Sequence, residues 1–221
     1  MLDTLRNWLH ARKLPEAARQ MAALDSAGLP NLDPGPDVVI AAATDWLCWA
    51  QDLTASGDDG VARDYSLIDG WATPYPKITG YIVPTLLRLA EIQNREDLRA
   101  RARRMLDWFQ AIQLADGGFQ GGRIDARPVV PVTFNTGQIL LGLAAGVRDF
   151  DAYHDALHGA ARFLRDSLDP DGCWRSHPTP LAEQGDKAYE THVAWGLFEA
   201  ATGSHRGRAT ARPACARYAG P

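Results

Sequence analysis

Gln113-Leu114-Ala115-Asp116-Gly117-Gly118-Phe119 is followed, after a polar loop, by Phe134-Asn135-Thr136-Gly137-Gln138-Ile139-Leu140-Leu141-Gly142-Leu143-Ala144. Asp-Gly is a turn signal, because the aspartate bonds nearby backbone and the glycine takes positive φ without a Cβ clash. The uncharged run after it, rich in small and apolar residues, describes an enclosed helix. The same order occurs twice more. Trp46-Leu47-Cys48-Trp49, Asp58-Asp59-Gly60 and Thr79-Gly80-Tyr81-Ile82-Val83-Pro84-Thr85-Leu86-Leu87 come before it. Ala161-Arg162-Phe163-Leu164, Asp171-Gly172-Cys173-Trp174 and Thr191-His192-Val193-Ala194-Trp195-Gly196-Leu197-Phe198 come after it. Thr79, Thr136 and Thr191 are 57 and 55 residues apart, and so are Asp59, Asp116 and Asp171. Two independent markers that keep one period define a repeat.

Each unit reads as helix, Asp-Gly turn, long polar and aromatic loop, then a second helix. The first helix is amphipathic: Leu98, Ala102, Met105, Leu106 and Phe109 share one face while Arg99, Arg101, Arg103 and Arg104 fill the other. That pattern belongs to an outer helix, wet on one side. The second helices, carrying Gly137, Gly142 and Gly146 in the middle unit, are inner helices with close backbone approach. They are expected to begin near Ile78, Phe134 and Tyr189. Pro84 is expected in a first turn or at a kink, since a proline inside a helix costs about 3 kcal/mol. The chain therefore divides into residues 1–36, an N-terminal helical segment broken at Pro15 plus a linker. Residues 37–202 hold three helical hairpin repeats, about 37–92, 95–148 and 151–202, and residues 203–221 form an irregular Arg/Gly/Ala/Pro tail. The fold class is all-α.

The 221 residues are 46% hydrophobic and 23% charged, which supports a real core and excludes disorder as the main state. Net charge is -4, but residues 203–221 contain Arg206, Arg208, Arg212 and Arg217 and no acid, so the rest of the chain carries -8. An acidic body is a poor partner for nucleic acid. Cys48, Cys173 and Cys215 are odd in number and far apart, which implies no disulfide framework and fits a reducing compartment, with the cytoplasm expected. No signal peptide is legible in residues 1–12, and the longest apolar or glycine run, residues 139–147, is too short to cross a bilayer.

The repeated outer helix, Asp-Gly-aromatic turn and inner helix resemble the α/α-toroid superfamily, which includes six-hairpin glycosidases, sugar epimerases, uronyl-processing enzymes, terpenoid cyclases and prenyltransferase β subunits. Within it, Trp71-Ala72-Thr73-Pro74-Tyr75-Pro76-Lys77-Ile78-Thr79-Gly80-Tyr81 and Phe134-Asn135-Thr136-Gly137-Gln138 are most similar to bacterial toroid proteins of exopolysaccharide biosynthesis. The resemblance implies a saccharide ligand, and no cofactor is expected. The aspartate-rich motifs of the terpenoid cyclases are absent. Asp171, Cys173 and His192 are similar to the zinc ligands of prenyltransferase β subunits, yet Cys173 fills a variable turn position and no metal is expected.

In a toroid the loops entering the inner helices meet at the barrel mouth. Those loops supply Trp71, Tyr75, Lys77 and Tyr81, then Gln120, Arg123, Asn135 and Gln138, then Trp174, Tyr189, Glu190 and His192. Aromatic plates stack on the apolar faces of a sugar while amides and guanidiniums bind its hydroxyls. Glu190 and His192 are the acid/base candidates, with Tyr75 as a phenolic alternative. A capping or loop-anchoring role for Glu190 is the competing reading. A carboxylate pair of Glu190 with Asp69 or Asp125 is a weaker possibility. The reaction expected is epimerase, lyase or hydrolase chemistry on a polysaccharide, with a non-catalytic glycan-binding or assembly role as the alternative.

A closed toroid of this superfamily needs about six hairpins, and three units of this period are legible. The expected form is an incomplete toroid, with a homo-oligomer or second chain supplying the other half, or a truncated inactive fragment.

Overall fold

The computed structural model describes residues 12–28, 32–179 and 187–206. It is helical apart from a minimal hairpin of β1 (Tyr65–Ser66) and β2 (Gly70–Trp71). The chain divides into two compact units, Met1–Tyr75 with Arg123–Asp125, and Pro76–Gly122 with Ala126–Pro221.

The first unit holds α1 (Glu16–Ala27) and α2 (Pro36–Asp52). Pro15 caps α1 and Gly28, at φ 86°, ends it. Pro36 at the start of α2 loses nothing by lacking an N–H there, and Asp37 in the first turn complements the helix dipole. In α2 the buried residues are Thr44, Cys48, Ala50 and Gln51, all from its midpoint onward. Gln51 Nε2 donates to the Asp59 carbonyl at 3.1 Å, and the Ala62 N–H donates to the Ala50 carbonyl at 2.8 Å. These bonds fasten the Asp-Gly turn of the first repeat to its outer helix.

The second unit contains α3 (Pro76–Gln93), α4 (Glu96–Ile112), α5 (Thr133–Phe150) and α6 (His154–Asp166), then a 3₁₀ turn (Ala188–Glu190) leading into α7 (Thr191–Arg206). The inner helices α3, α5 and α7 lie side by side with α5 between the others, while α4 packs on α3 and α6 on α5. A tight turn containing left-handed Asn94 joins α3 to α4, and one containing left-handed Asp151 and Tyr153 joins α5 to α6. The close helix pairs therefore run from inner to next outer helix, across the short connections, and the long loops join outer to inner. Phe109, Phe119, Leu86, Leu98, Met105, Leu106, Ile139, Leu140 and Leu143 are fully enclosed between these layers.

Glycine sets the spacing of the inner layer. A Cβ on Gly196 of α7 would lie 2.4 Å from the Gly137 carbonyl of α5, and one on Gly142 would lie 2.9 Å from the Gly80 carbonyl of α3. Neither leaves room for a methyl group. Of the two places expected for Pro84, the first turn does not hold: it stands in the middle of α3. Its missing N–H frees the carbonyl one turn earlier, that of Gly80, and this carbonyl is the one against Gly142. The neighbouring helix thus covers the backbone group that the proline leaves unbonded. A second difference lies at the C-terminal side, where α7 continues past Thr202 to Arg206. Residues 1–11, 29–31, 180–186 and 207–221 of the sequence segments named above lie outside the described residues.

Candidate functional site

The turn of the middle repeat is bonded directly to the start of α5. The Gly118 N–H donates to Asp116 Oδ1 at 2.9 Å and the Leu114 N–H to the Gly118 carbonyl at 3.0 Å, which shapes the turn around Gly117 at φ +90°. The Phe119 N–H donates to Thr136 Oγ1 at 2.9 Å, and Asn135 Nδ2 donates to the Gln120 carbonyl at 3.2 Å. Asn135 and Gln120 are buried, and the Asn135 side chain ties the loop to the helix start. Gln138 is fully enclosed, and neither end of its carboxamide has a hydrogen-bond partner among the described residues.

The third repeat builds the same turn with different chemistry. The Cys173 N–H donates to Asp171 Oδ1 at 3.2 Å, and Trp174 Nε1 donates to the Leu164 carbonyl at 2.8 Å, with the indole buried. Arg175 pairs with Asp171 at 2.7 Å and holds that carboxyl down at about 2. Asp171 is thus committed to Arg175. Among the described residues no group of three potential metal ligands is found.

Glu190 ends the 3₁₀ turn and is 6% exposed. It occupies the repeat position of Asn135. Its side chain borders a cavity of about 490 Å³ shared with Gly172, Cys173, Trp174, Lys187, Thr191 and Ala194, and its Oε2 has no hydrogen-bond partner among the described residues. Burial raises its pKa to about 7, against a smaller lowering by Lys187. A carboxyl there can take or give a proton at neutral pH. Residues two apart on a helix do not face each other, and His192 is indeed elsewhere, exposed beside Phe134 and Trp195.

A row of rings crosses the starts of the inner helices. Lys77 Nζ lies 5.2 Å from the centre of the Phe134 ring, and Phe134 meets Tyr189 edge-on at 5.0 Å. These three residues each stand two places before the repeat threonine, so one position of the repeat forms one continuous ladder. His192 extends it, with ring centres 6.3 Å from both Phe134 and Trp195. Burial and the nearby Glu190 raise the pKa of Tyr189, which keeps its phenol neutral. Where α3 and α5 carry Gly80 and Gly137, α7 carries His192, and this face stays open, with Trp195 52% exposed. Tyr81 lies half-buried on the first turns of α3. Sequence reasoning named Lys77, Tyr189 and His192 but missed Phe134 and Trp195; the repeat register would have revealed Phe134.

The remaining sequence candidates belong to the first unit. Trp71 packs against Trp46 at 4.8 Å and Tyr65 at 5.0 Å, and Trp46 lies 5.9 Å from Tyr65, forming a half-exposed aromatic trio. The Tyr75 N–H donates to the Val61 carbonyl at 3.0 Å. Arg123 pairs with Asp125 at 3.3 Å, and Asp125 accepts from Thr73 Oγ1 at 2.8 Å. Asp69 accepts from Ser66 Oγ.

Two solved structures share this arrangement of paired helices. One is described as a possible member of the GH105 family from Klebsiella pneumoniae, with a TM-score of 0.57, 11% identity, and coverage of 77% of this chain and 51% of that one. The other, a glycosyl hydrolase family 88 protein from Bacteroides vulgatus, has a TM-score of 0.54 and 19% identity over 74% of this chain and 54% of that one.

The fold is that of the α/α toroids.

The chain spans about half the length of these toroid proteins. No protein-family model matches it, and no curated protein does. No helix among the described residues is long and apolar enough to cross a membrane. At such identities the likeness concerns the course of the backbone, and the chemistry has to be argued from the side chains.

Proposed function

We propose that this chain is a carbohydrate-active toroid protein whose ladder of Lys77, Phe134 and Tyr189, continued by His192 and Trp195, binds an oligo- or polysaccharide. The ladder carries this reading. It places exposed and half-buried rings in a row at the inner-helix starts, as a run of sugar rings requires, with Lys77 and His192 available to hydroxyls or a carboxylate. Glu190, a carboxyl that titrates near neutrality on the same helix start, is the proton donor or acceptor of choice, and His192 is the second. Tyr75, Trp71 and Arg123 stand as further candidates on the first unit. Epimerase, lyase and hydrolase reactions all use such groups. The setting, bacterial polysaccharide biosynthesis or modification, rests on the resemblance of residues 71–81 and 134–138.

One observation favours a non-catalytic glycan-binding role as the second reading: Glu190 faces the turn cavity at the position where Asn135 anchors its loop. Calorimetry with neutral and uronate-containing oligosaccharides, together with reducing-end and unsaturated-product assays, tests both. Binding weakened about tenfold in Trp195→Ala and Tyr189→Ala supports the ladder. Turnover lost in Glu190→Gln and His192→Ala supports an enzyme, and binding without turnover supports the second reading. An intact ladder that binds no saccharide overturns the proposal.

A further inference from the structure

Among the described residues, two elements of the repeat lack the neighbour their counterparts have. Each inner helix of the second unit except α7 is packed by the following outer helix, α4 on α3 and α6 on α5. The packing of α6 reaches the turn of the repeat before it: a Cβ on Gly117 would lie 2.4 Å from the Gly159 carbonyl of α6. Gly172 has the same conformation, φ +86° against +90°, and a Cβ there meets nothing within 4 Å. Beside α7 runs an open groove of about 460 Å³ between α6 and α7, with Leu157, Leu197 and Ala200 on its floor and His158, Arg162 and Arg165 along it. It is an apolar slot with a basic margin, on which Arg165 also pairs with the adjacent Asp166 at 2.7 Å while Arg162 lies one turn before it.

By repeat position α2 is an outer helix, the counterpart of α4 and α6. Its residues 36–43 are all exposed, with Val38 at 58%, Val39 at 55% and Ile40 at 42%. Its charges are Asp37, Asp45 and Asp52, with no base. So α2 is an acidic helix with an uncovered apolar face, and the slot beside α7 is basic and apolar. The two solved structures that share this fold are each about twice as long as the part this chain covers.

We propose that α2 of a second copy of this chain docks in the groove between α6 and α7, as α6 docks on α5. Its apolar residues meet Leu157 and Leu197, and its aspartates face Arg162 and Arg165. The contact is head-to-tail, so each copy offers a groove and a helix. The ladder at the start of α7 stays accessible, because the groove lies on the side of Leu197 and Ala200 and not of His192.

Light scattering on the eluting full chain, with exposed-site variants that keep the fold, tests this. Wild type should elute at a mass of two chains or more at tens of micromolar. Arg162→Glu with Arg165→Glu, and separately Asp37→Lys with Asp45→Lys, should each elute as a monomer with unchanged helical circular dichroism. Mixing these two variants should restore the association, because each groove then meets a helix of opposite charge. Val39→Asp should be monomeric alone, yet its unaltered groove should still take up the α2 of the Arg162→Glu, Arg165→Glu variant. A monomeric wild type, association unaffected by either charge reversal, or failure of the mixture to reassociate would overturn the proposal. Saccharide binding by a monomer leaves the proposed function standing and sinks only the docking.

Discussion

Asn135 and Glu190 stand 55 residues apart at the same position of successive repeats, yet they deal with opposite polarity. The Asn135 amide donates to a turn carbonyl at 3.2 Å. Glu190 can donate only when protonated, and its buried Oε2 has no partner among the described residues. Burial therefore selects the neutral acid, and the pKa moves from 4.5 to about 7. The folded state holds a proton that the unfolded chain releases between these values. Stability contributed by the protonated group is complete below about pH 4.5, falls as pH rises, and is gone above about pH 7.

Glu190→Gln should remove that slope. Urea unfolding at pH 5 and pH 8 should show the wild type losing up to about 3 kcal/mol across the interval, and the variant losing far less. At pH 8 Glu190→Gln should be the more stable protein. Equal slopes in the two proteins would mean that Glu190 is charged throughout.

Gly117→Ala and Gly172→Ala separate backbone strain from packing. Both glycines have positive φ, which costs an alanine about 1–2 kcal/mol. Only Gly117 also presses on the Gly159 carbonyl of α6. Thermal melts should show Gly117→Ala the more damaging by a further 1–3 kcal/mol or so, the usual penalty for overpacking.

Thr136→Val should destabilise by about 1–3 kcal/mol, because it keeps the shape and deletes the acceptor of the buried Phe119 N–H. Hydrogen exchange at the Phe119 amide should speed up in parallel. A neutral result would show that the other bonds of the turn, from Gly118 to Asp116 and from Asn135 to Gln120, hold it without Thr136.

Gln138→Met should behave in the opposite sense. The wild-type carboxamide is enclosed with both ends unpartnered among the described residues, and removing a buried unsatisfied polar group of similar volume is worth about 1–3 kcal/mol. A raised melting temperature is expected. A lowered one would reveal an internal water or other partner at Gln138.

What the sequence determined by itself is whatever repeats or is local. The Asp-Gly turns, the amphipathic outer helices and the glycine-bearing inner helices each follow from a few adjacent residues, and the recurrence of Thr79, Thr136 and Thr191 binds them into one architecture. Glu190 was legible as a titratable group at a helix start, because a carboxylate beside an imidazole is visible in any chain. Only the tertiary structure could decide its surroundings. Direction around a helix start and enclosure by the turn at Cys173 and Trp174 depend on segments far from Glu190 in sequence. The same holds for Gln138 and Asn135, polar letters that suggested a binding surface and that packing of α5 between α3 and α7 turned inward. Phe134 was legible only as the start of an inner helix, and the lateral stacking of three repeats put it between Lys77 and Tyr189. A side chain's chemistry is written in one residue. Its environment is set by whichever distant helices come to lie against it, and here glycine-mediated contacts between α3, α5 and α7 made that choice.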